Sequence, residues 1–189
     1  MKVRFAAAMV LLAAVMAFPA ANDAAVGSME RKLQRLQTNA VPARPDPTPT
    51  EFTEQEINAY FASGRVELPA GVKTVTFQLQ PGVVNATTRV DFDQLEAGRS
   101  SANPLLGIFS GVHEVAVSTH AYGSRGQGVV HVDSVALDGV EIPRFVLQLF
   151  VEKFLQPKYP EAGLDSRFGL PERVDAAVVG LHKVLVTQK

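Results

Sequence analysis

The sequence predicts an α+β fold, a strongly curved antiparallel sheet wrapped around a long apolar helix, within a single folded domain. Three observations carry this expectation. The stretch Ile142–Leu155 (IPRFVLQLFVEKFL) has a helical period, yet it is apolar around most of its circumference. From Val66 onward the period changes to two, the spacing of half-buried strands. Turn signals at Pro81-Gly82 and Asp138-Gly139 divide those strands into hairpins.

Composition narrows the function classes. At 189 residues with 47% hydrophobic content, the chain can bury one sizeable core. Eighteen basic residues face 19 acidic ones, and no polybasic tail points to nucleic acid. The absence of cysteine excludes a disulfide framework, a thiolate zinc site, a Cys nucleophile and an acylated lipoprotein cysteine.

Lys2 and Arg4 precede the apolar run Phe5–Phe18, and small residues follow at Pro19–Ala21 and Ala24-Ala25. This is the layout of a secretory signal peptide, with a cut after Ala17, Ala21 or Ala25. Taking residues 1–21 as the signal leaves 16 basic against 19 acidic residues in the exported chain. The run falls short of the ~20 residues that a spanning helix needs. The expected location is therefore the periplasm or cell envelope.

Residues 22–50 read as a short helix and a proline-rich linker. Ser28–Gln37 places Met29, Leu33 and Leu36 on one side, and a helix so short needs a docking partner. Asn39–Thr50 carries Pro42, Pro45, Pro47 and Pro49, which favour an extended stalk or tether of up to ~35 Å. The main domain is expected over residues 51–189.

Phe52–Gly64 has the signature of a helix start. Thr53 and Glu56 can form a reciprocal capping box, and Phe52 with Ile57 a hydrophobic staple. Ile57, Tyr60 and Phe61 supply its buried face, and Gly64 stops it. Val75, Phe77 and Leu79 then alternate with polar residues, as do Val84, Ala86, Thr88, Val90 and Phe92, giving a hairpin through Pro81-Gly82.

Glu96–Gly111 breaks the pattern with an apolar patch, Leu105, Leu106, Ile108 and Phe109. Val112–Tyr122 and Val129–Leu137 are strands joined through Gly123–Gly128, and Asp138-Gly139 returns the chain toward the helix. Pro143 suits the first helical turn, and Pro157 and Pro160 end the helix. A loop through Gly163 and Pro171 leads to one last strand, Val174–Thr187, with a bulge at Gly180. The sum is about six strands.

The helix needs cover on several sides. Burying its eight large apolar side chains contributes on the order of 12–24 kcal/mol before chain entropy is subtracted. At ~21 Å it is too short to span a bilayer. The same residues suit a tightly closed core or the wall of a lipid-sized cavity.

Candidate chemistry is sparse. His120 and His131 stand on neighbouring strands, with Asp133 and His113 as the remaining donors, but a metal site needs three or four convergent ligands and none is expected. Ser100, Ser101 and Ser110 lie near glycines without a G-x-S-x-G elbow. The Gly123–Gly128 turn precedes a strand rather than the helix a phosphate cradle requires. Asn85-Ala86-Thr87 matches a glycosylation sequon. No cofactor and no catalytic residue is assigned, and a hydrolase acting on envelope material has no motif behind it.

Three segments resemble a known family. They are T-E-Q-E-I-N-A-Y (Thr53–Tyr60), L-D-G-V-E-I-P with the helix after it (Leu137–Leu155), and G-L-P-E-R-V-D-A-A-V-V-G (Gly169–Gly180). Together they resemble small bacterial envelope lipid-binding proteins, the YceB-like and LmeA-like groups, which are similar to single-domain members of the tubular lipid-binding (TULIP) superfamily. The resemblance covers most of Phe52–Lys189. It implies a TULIP-like curved sheet on a helix, an apolar groove for acyl chains, an envelope location and no catalysis. The sequence departs from the pattern in lacking a lipobox cysteine and in carrying the proline-rich linker.

The expected function is thus non-enzymatic binding of a lipid or other long apolar molecule. The groove is expected between strand residues Val75, Phe77, Leu79, Val90, Phe92, Val115, Val117, Val130 and Val132 and helix residues Phe145, Leu149, Phe150 and Phe154. The lipid is the expected partner, with a membrane surface as a further candidate and no nucleic acid. The competing expectation is an envelope assembly module that binds a protein partner, with the helix as plain core.

Overall fold

The computed structural model describes residues 4–95, 104–157, 160 and 163–189, with side chains from residue 22 onward. The run read as an export signal lies outside the residues whose side chains are described. The helix α1 spans Arg4–Asn39 and contains Ser28–Gln37. Among the described residues no helix is long and apolar enough to cross a membrane.

The fold is α+β, with few helices and a nine-stranded antiparallel sheet. Its strands are β1 (Thr50–Thr53), β2 (Val72–Gln80), β3 (Val83–Asp91), β4 (Val112–Ser124), β5 (Gln127–Leu137), β6 (Val140–Glu141), β7 (Asp165–Gly169), β8 (Val174–Gly180) and β9 (Lys183–Gln188). The order is β1-β9-β8-β4-β3-β2, and β5 lies on the other edge of β4, carrying β6 and β7. The 13-residue β4 is the spine. One edge pairs with β3 over 112–120 and passes to β8 at Tyr122 and Gly123, while the other edge pairs with β5.

The turns follow local chemistry. Pro81-Gly82 joins β2 to β3, with Gly82 at φ 73°. Asp138 and Gly139 both hold positive φ, 48° and 80°, as a tight two-residue hairpin requires. The expected single strand over Val174–Thr187 is instead the hairpin β8–β9. Leu181-His182 turns the chain, His182 sitting at φ 55°, where the sequence reading placed only a bulge. The short strand β1 covers the end of the segment read as linker and the start of the Phe52–Gly64 helix, and β7 lies in the segment read as loop. Neither alternates clearly in hydropathy, and both exist because a longer partner, β9 or β5, satisfies their backbone.

Directly opposed residues in an antiparallel pair face the same side, so the register defines one continuous inner face. On β4 it comprises His113, Val115, Val117, Thr119, Ala121 and Gly123. Opposite them lie Val90, Thr88, Ala86 and Val84 on β3, Leu137, Val135, Val132 and Val130 on β5, and Ala177 on β8. Helices cover both ends of this face. At one end stand α2 (Glu54–Ala62) and the second half of α1, with Met29, Leu33, Leu36, Phe52, Val174 and Val186 in one core cluster. At the other end stand α3 (Arg144–Phe150), the π-helical turn Val151–Leu155 and the 3-10 turn Pro104–Leu106.

The capping box forms as read. Glu56 N donates to Thr53 Oγ1 at 3.2 Å, and Thr53 N to Glu56 Oε2 at 2.8 Å. Phe52 and Ile57 share a core cluster, as a staple requires. α2 also closes the β2 edge of the sheet. Asn58 exchanges two hydrogen bonds with the Phe77 backbone, at 2.7 and 2.9 Å, and Glu54 accepts from Leu79 N at 2.6 Å.

The proline segment does not stand away from this body as a stalk. Asn39 binds Asp46 and Gln188, and Arg173 Nη1 donates to Pro42 O at 2.7 Å. The docking partner required by Ser28–Gln37 is the α2 and β8–β9 surface.

The helix expected over Ile142–Leu155 is shorter and changes type. Seven α-helical residues pass into five π-helical ones, and Gln156 N donates to Val151 O at 2.9 Å. In an α-helix, i and i+4 neighbours drift by about 40°. A π turn winds less per residue, so it takes back that drift and keeps Leu147, Val151 and Leu155 aimed at the sheet. A helical period read from sequence does not register this change of winding.

Candidate ligand cavity

Between the helical segment and the inner face lies a cavity of about 260 Å³. Strand walls come from Val72, Val90, Val115, Val117, Val132, Val135 and Leu137, with Phe92 just past the end of β3. Leu147, Phe150, Val151 and Leu155 form the helical wall, while Leu95, Phe109, Gly163 and Leu164 close the ends. Among the described residues every lining residue is apolar or glycine, and none of them offers a ligand a side-chain hydrogen bond. A second cavity of about 250 Å³ adjoins it, lined by Pro69, Ala70, Gln94 and Phe154 together with Val72, Leu95, Phe150 and Leu155. A larger concavity of about 500 Å³ runs along α1 between Arg31, Arg35 and Pro42. That groove is lined by polar and charged residues together with Pro42 and is separate from the apolar interior.

Of the thirteen residues expected to line a groove, Val90, Phe92, Val115, Val117, Val132 and Phe150 line the inner cavity, and Phe154 lines the outer one. Leu149 packs on the same core without reaching the cavity. Val130 lies on the inner face beyond it. Val75, Phe77 and Leu79 also face inward but lie outside the cavity lining; Phe77 meets Phe61 of α2 at 4.8 Å between ring centroids. Phe145 is 58% exposed, because the first turn of α3 directs it away from the core.

Two of the strand residues that sequence reasoning missed have a shared physical cause. Val135 and Leu137 have the opposite parity to Val130 and Val132, because a bulge shifts the register between Ser118 and Thr119 of β4 and leaves Asp133 out of the pairing. The two halves of β5 therefore keep one face with two different parities. Leu147, Val151 and Leu155, spaced by four, were the available helical signal.

The aromatic lining is continuous. Phe150 lies 4.3 Å from Phe109, 5.8 Å from Phe92 and 5.4 Å from Phe154, centroid to centroid. Phe109 and Leu106 are the most deeply buried large side chains and plug one end. A charged clamp holds that plug. His113 Nδ1 lies 2.6 Å from Asp138 Oδ2, and His113 Nε2 lies 2.8 Å from Ser110 O. Both ring nitrogens thus face acceptors, and the Asp138 carboxylate and then the Ser110 carbonyl raise the His113 pKa above its ordinary value.

One polar atom is out of place on the inner face. Thr88 Oγ1, on the residue paired with Val75 and Val115, is buried and has no hydrogen-bond partner among the described residues. On the outer face His120 and His131 are directly paired, as the sequence suggested, and both are exposed. Asp133 binds His120 at 2.7 Å, while Asp165 binds His131 and, at 2.7 Å, Arg144. Among the described residues no group of three or more His, Asp or Glu is arranged to hold a metal ion.

The fold and cavities define a class, an α+β protein with apolar cavities against a large antiparallel sheet. No family model, no curated protein and no solved structure matches this chain.

Proposed function

We propose that this is an exported, non-enzymatic protein that binds a lipid, or another long apolar molecule, between the sheet and the 144–155 helical segment. The observation that carries the reading is the inner cavity, whose walls among the described residues hold no polar side chain. Transfer of an alkyl chain from water to such a site is driven by removing apolar surface from water, at roughly 25 cal/mol per Å². On this reading the domain is TULIP-like, with its sheet bent around the helical segment, and it works in envelope lipid transport or homeostasis. Native mass spectrometry of the secreted protein, with organic extraction of what co-purifies, tests it. A stoichiometric lipid is expected. A clean unliganded mass that persists after incubation with total membrane lipid would sink the reading.

A second reading, an envelope assembly module with a protein partner, is favoured by a different observation. Val129, Tyr122, Val178 and Leu185 stand in register across four strands on the outer face, with Tyr122 and Val178 more than half exposed. On that reading Tyr122→Ser with Val178→Ser abolishes a partner captured by cross-linking and leaves lipid content unchanged.

A further inference from the structure

The two cavities are separately small and jointly ligand-sized. Ligand pockets usually enclose about 300–1,000 Å³. At about 260 and 250 Å³ each compartment falls just below that range, and joining them roughly doubles the volume. Among the described residues four side chains line both compartments and stand where the two adjoin: Val72, Leu95, Phe150 and Leu155. Among these, Phe150 alone carries a ring. It touches Phe92 and Phe109 on the inner side and Phe154 on the outer side. It is also the last α-helical residue before the π turn, so its direction is set where the winding changes.

We propose that Phe150 is the chain-length stop of this binding site, and that the ligand is a single unbranched acyl chain confined by that ring to one compartment. The inference rests on the lipid-binding reading above and adds its specificity. An unbranched chain fits because both compartments are small and apolar, Gln94 of the outer one being the only polar side chain among their described lining residues. A branched, polycyclic or two-chain ligand would need the wall removed. While the ring stays in place, each added methylene gains affinity only until the chain meets it. Beyond that length further methylenes remain in water.

The test is a chain-length series of straight fatty acids, from octanoate to stearate, titrated into the wild-type protein, Phe150→Ala and Phe150→Leu. Circular dichroism checks that each variant is folded. In the wild type, affinity is expected to rise about fourfold per methylene buried and then to level off within the series. In Phe150→Ala the rise continues further, so palmitate binds at least about tenfold more tightly than to the wild type. Phe150→Leu, which keeps more of the core, levels off at an intermediate length. Adding Ala70→Trp, at an exposed position that lines the outer cavity and not the inner one, returns the plateau of Phe150→Ala to shorter chains. Binding with the same plateau in the wild type and the folded variants would overturn the role of Phe150 and leave lipid binding standing. Failure of every acid to bind any of the proteins would overturn lipid binding itself, and this inference with it.

Discussion

Lys32 Nζ lies 2.6 and 2.7 Å from the two carboxylate oxygens of Glu56, joining the N-terminal helix to the capping residue of α2. The Ser28 hydroxyl donates to the same carboxylate at 2.6 Å, and Thr53 N donates to it at 2.8 Å. One side chain therefore closes the start of α2 and pins α1 to it.

This arrangement predicts an acid-sensitive joint. Burial alone pushes the Glu56 carboxyl up, but the Lys32 ammonium, the Ser28 hydroxyl and the Thr53 N–H outweigh burial and bring its pKa down to about 2. The folded value lies below the ordinary value of 4.5, so the stabilisation is fully present above 4.5 and disappears as pH falls toward 2. Urea midpoints measured across that window fall for the wild type. Glu56→Gln flattens the slope and costs about 2 kcal/mol at neutral pH, since it leaves Lys32 unpaired beside the core. An unchanged acid slope in the variant would show that other carboxylates control acid unfolding.

The His113 clamp predicts the opposite sign on the basic side. Its raised folded pKa means that its contribution is complete below the unfolded value of 6.5 and is lost as pH rises through the folded pKa. Asp138, held below the usual carboxylate range chiefly by the His113 ring, keeps its half of the pair down to acid pH. Hydrogen exchange at Ser110 and neighbouring amides should therefore speed up as pH rises above about 6.5, beyond its intrinsic pH dependence. His113→Phe should abolish that extra acceleration. Equal excess exchange in both proteins would remove the clamp from the account.

On the apolar face Thr88 sits with a hydroxyl that has no partner among the described residues. Thr88→Val keeps the β-branched shape that suits a strand and removes the desolvated oxygen. It should stabilise the protein by about 1 kcal/mol, read as a raised denaturation midpoint. A loss of stability of similar size would mean that the hydroxyl has a partner in solution.

Val117→Phe adds bulk to the strand wall of the inner cavity. Core overpacking ordinarily costs about 1–3 kcal/mol. Where a void awaits the ring, that cost is not incurred. The variant should melt no lower than the wild type and should carry no co-purifying lipid. A lowered melting temperature with lipid retained would place the ligand elsewhere.

Gly123 marks the point where β4 passes from β3 to β8. A Cβ there would meet Leu170 Cδ1 at 2.8 Å and Ala177 N at 2.9 Å, so the backbones approach only because no side chain intervenes. Gly123→Ala should cost about 2 kcal/mol, read from urea unfolding. A neutral result would mean that β8 can shift along the spine without loss.

Much of the local structure was legible in the sequence because its causes are local. The capping box at Thr53 and Glu56, the Pro81-Gly82 and Asp138-Gly139 turns and the β2–β3 hairpin each depend on residues a few positions apart. Strands β1 and β7 were not legible, because pairing with β9 and β5 rather than their own hydropathy creates them. About half of the expected groove residues reached the cavities. The exceptions turned on a change of local geometry or of place in the sheet: Phe145 faces solvent from the first turn of α3, and Phe77 packs under α2.

By itself the sequence determined the α+β class with its antiparallel sheet, the principal turns and the apolar character of the sheet face and of the 142–155 segment, since periodicity and turn chemistry are encoded over short windows. Only the tertiary structure decided that α1 docks on the body, that a bulge at Asp133 brings Val132 and Val135 to one face, and that a π turn aims Leu155 at the sheet. It also decided that Phe150 stands between two compartments. Each of these depends on backbone pairing or winding that brings distant residues together, and the order of the residues carries no separate signal for it.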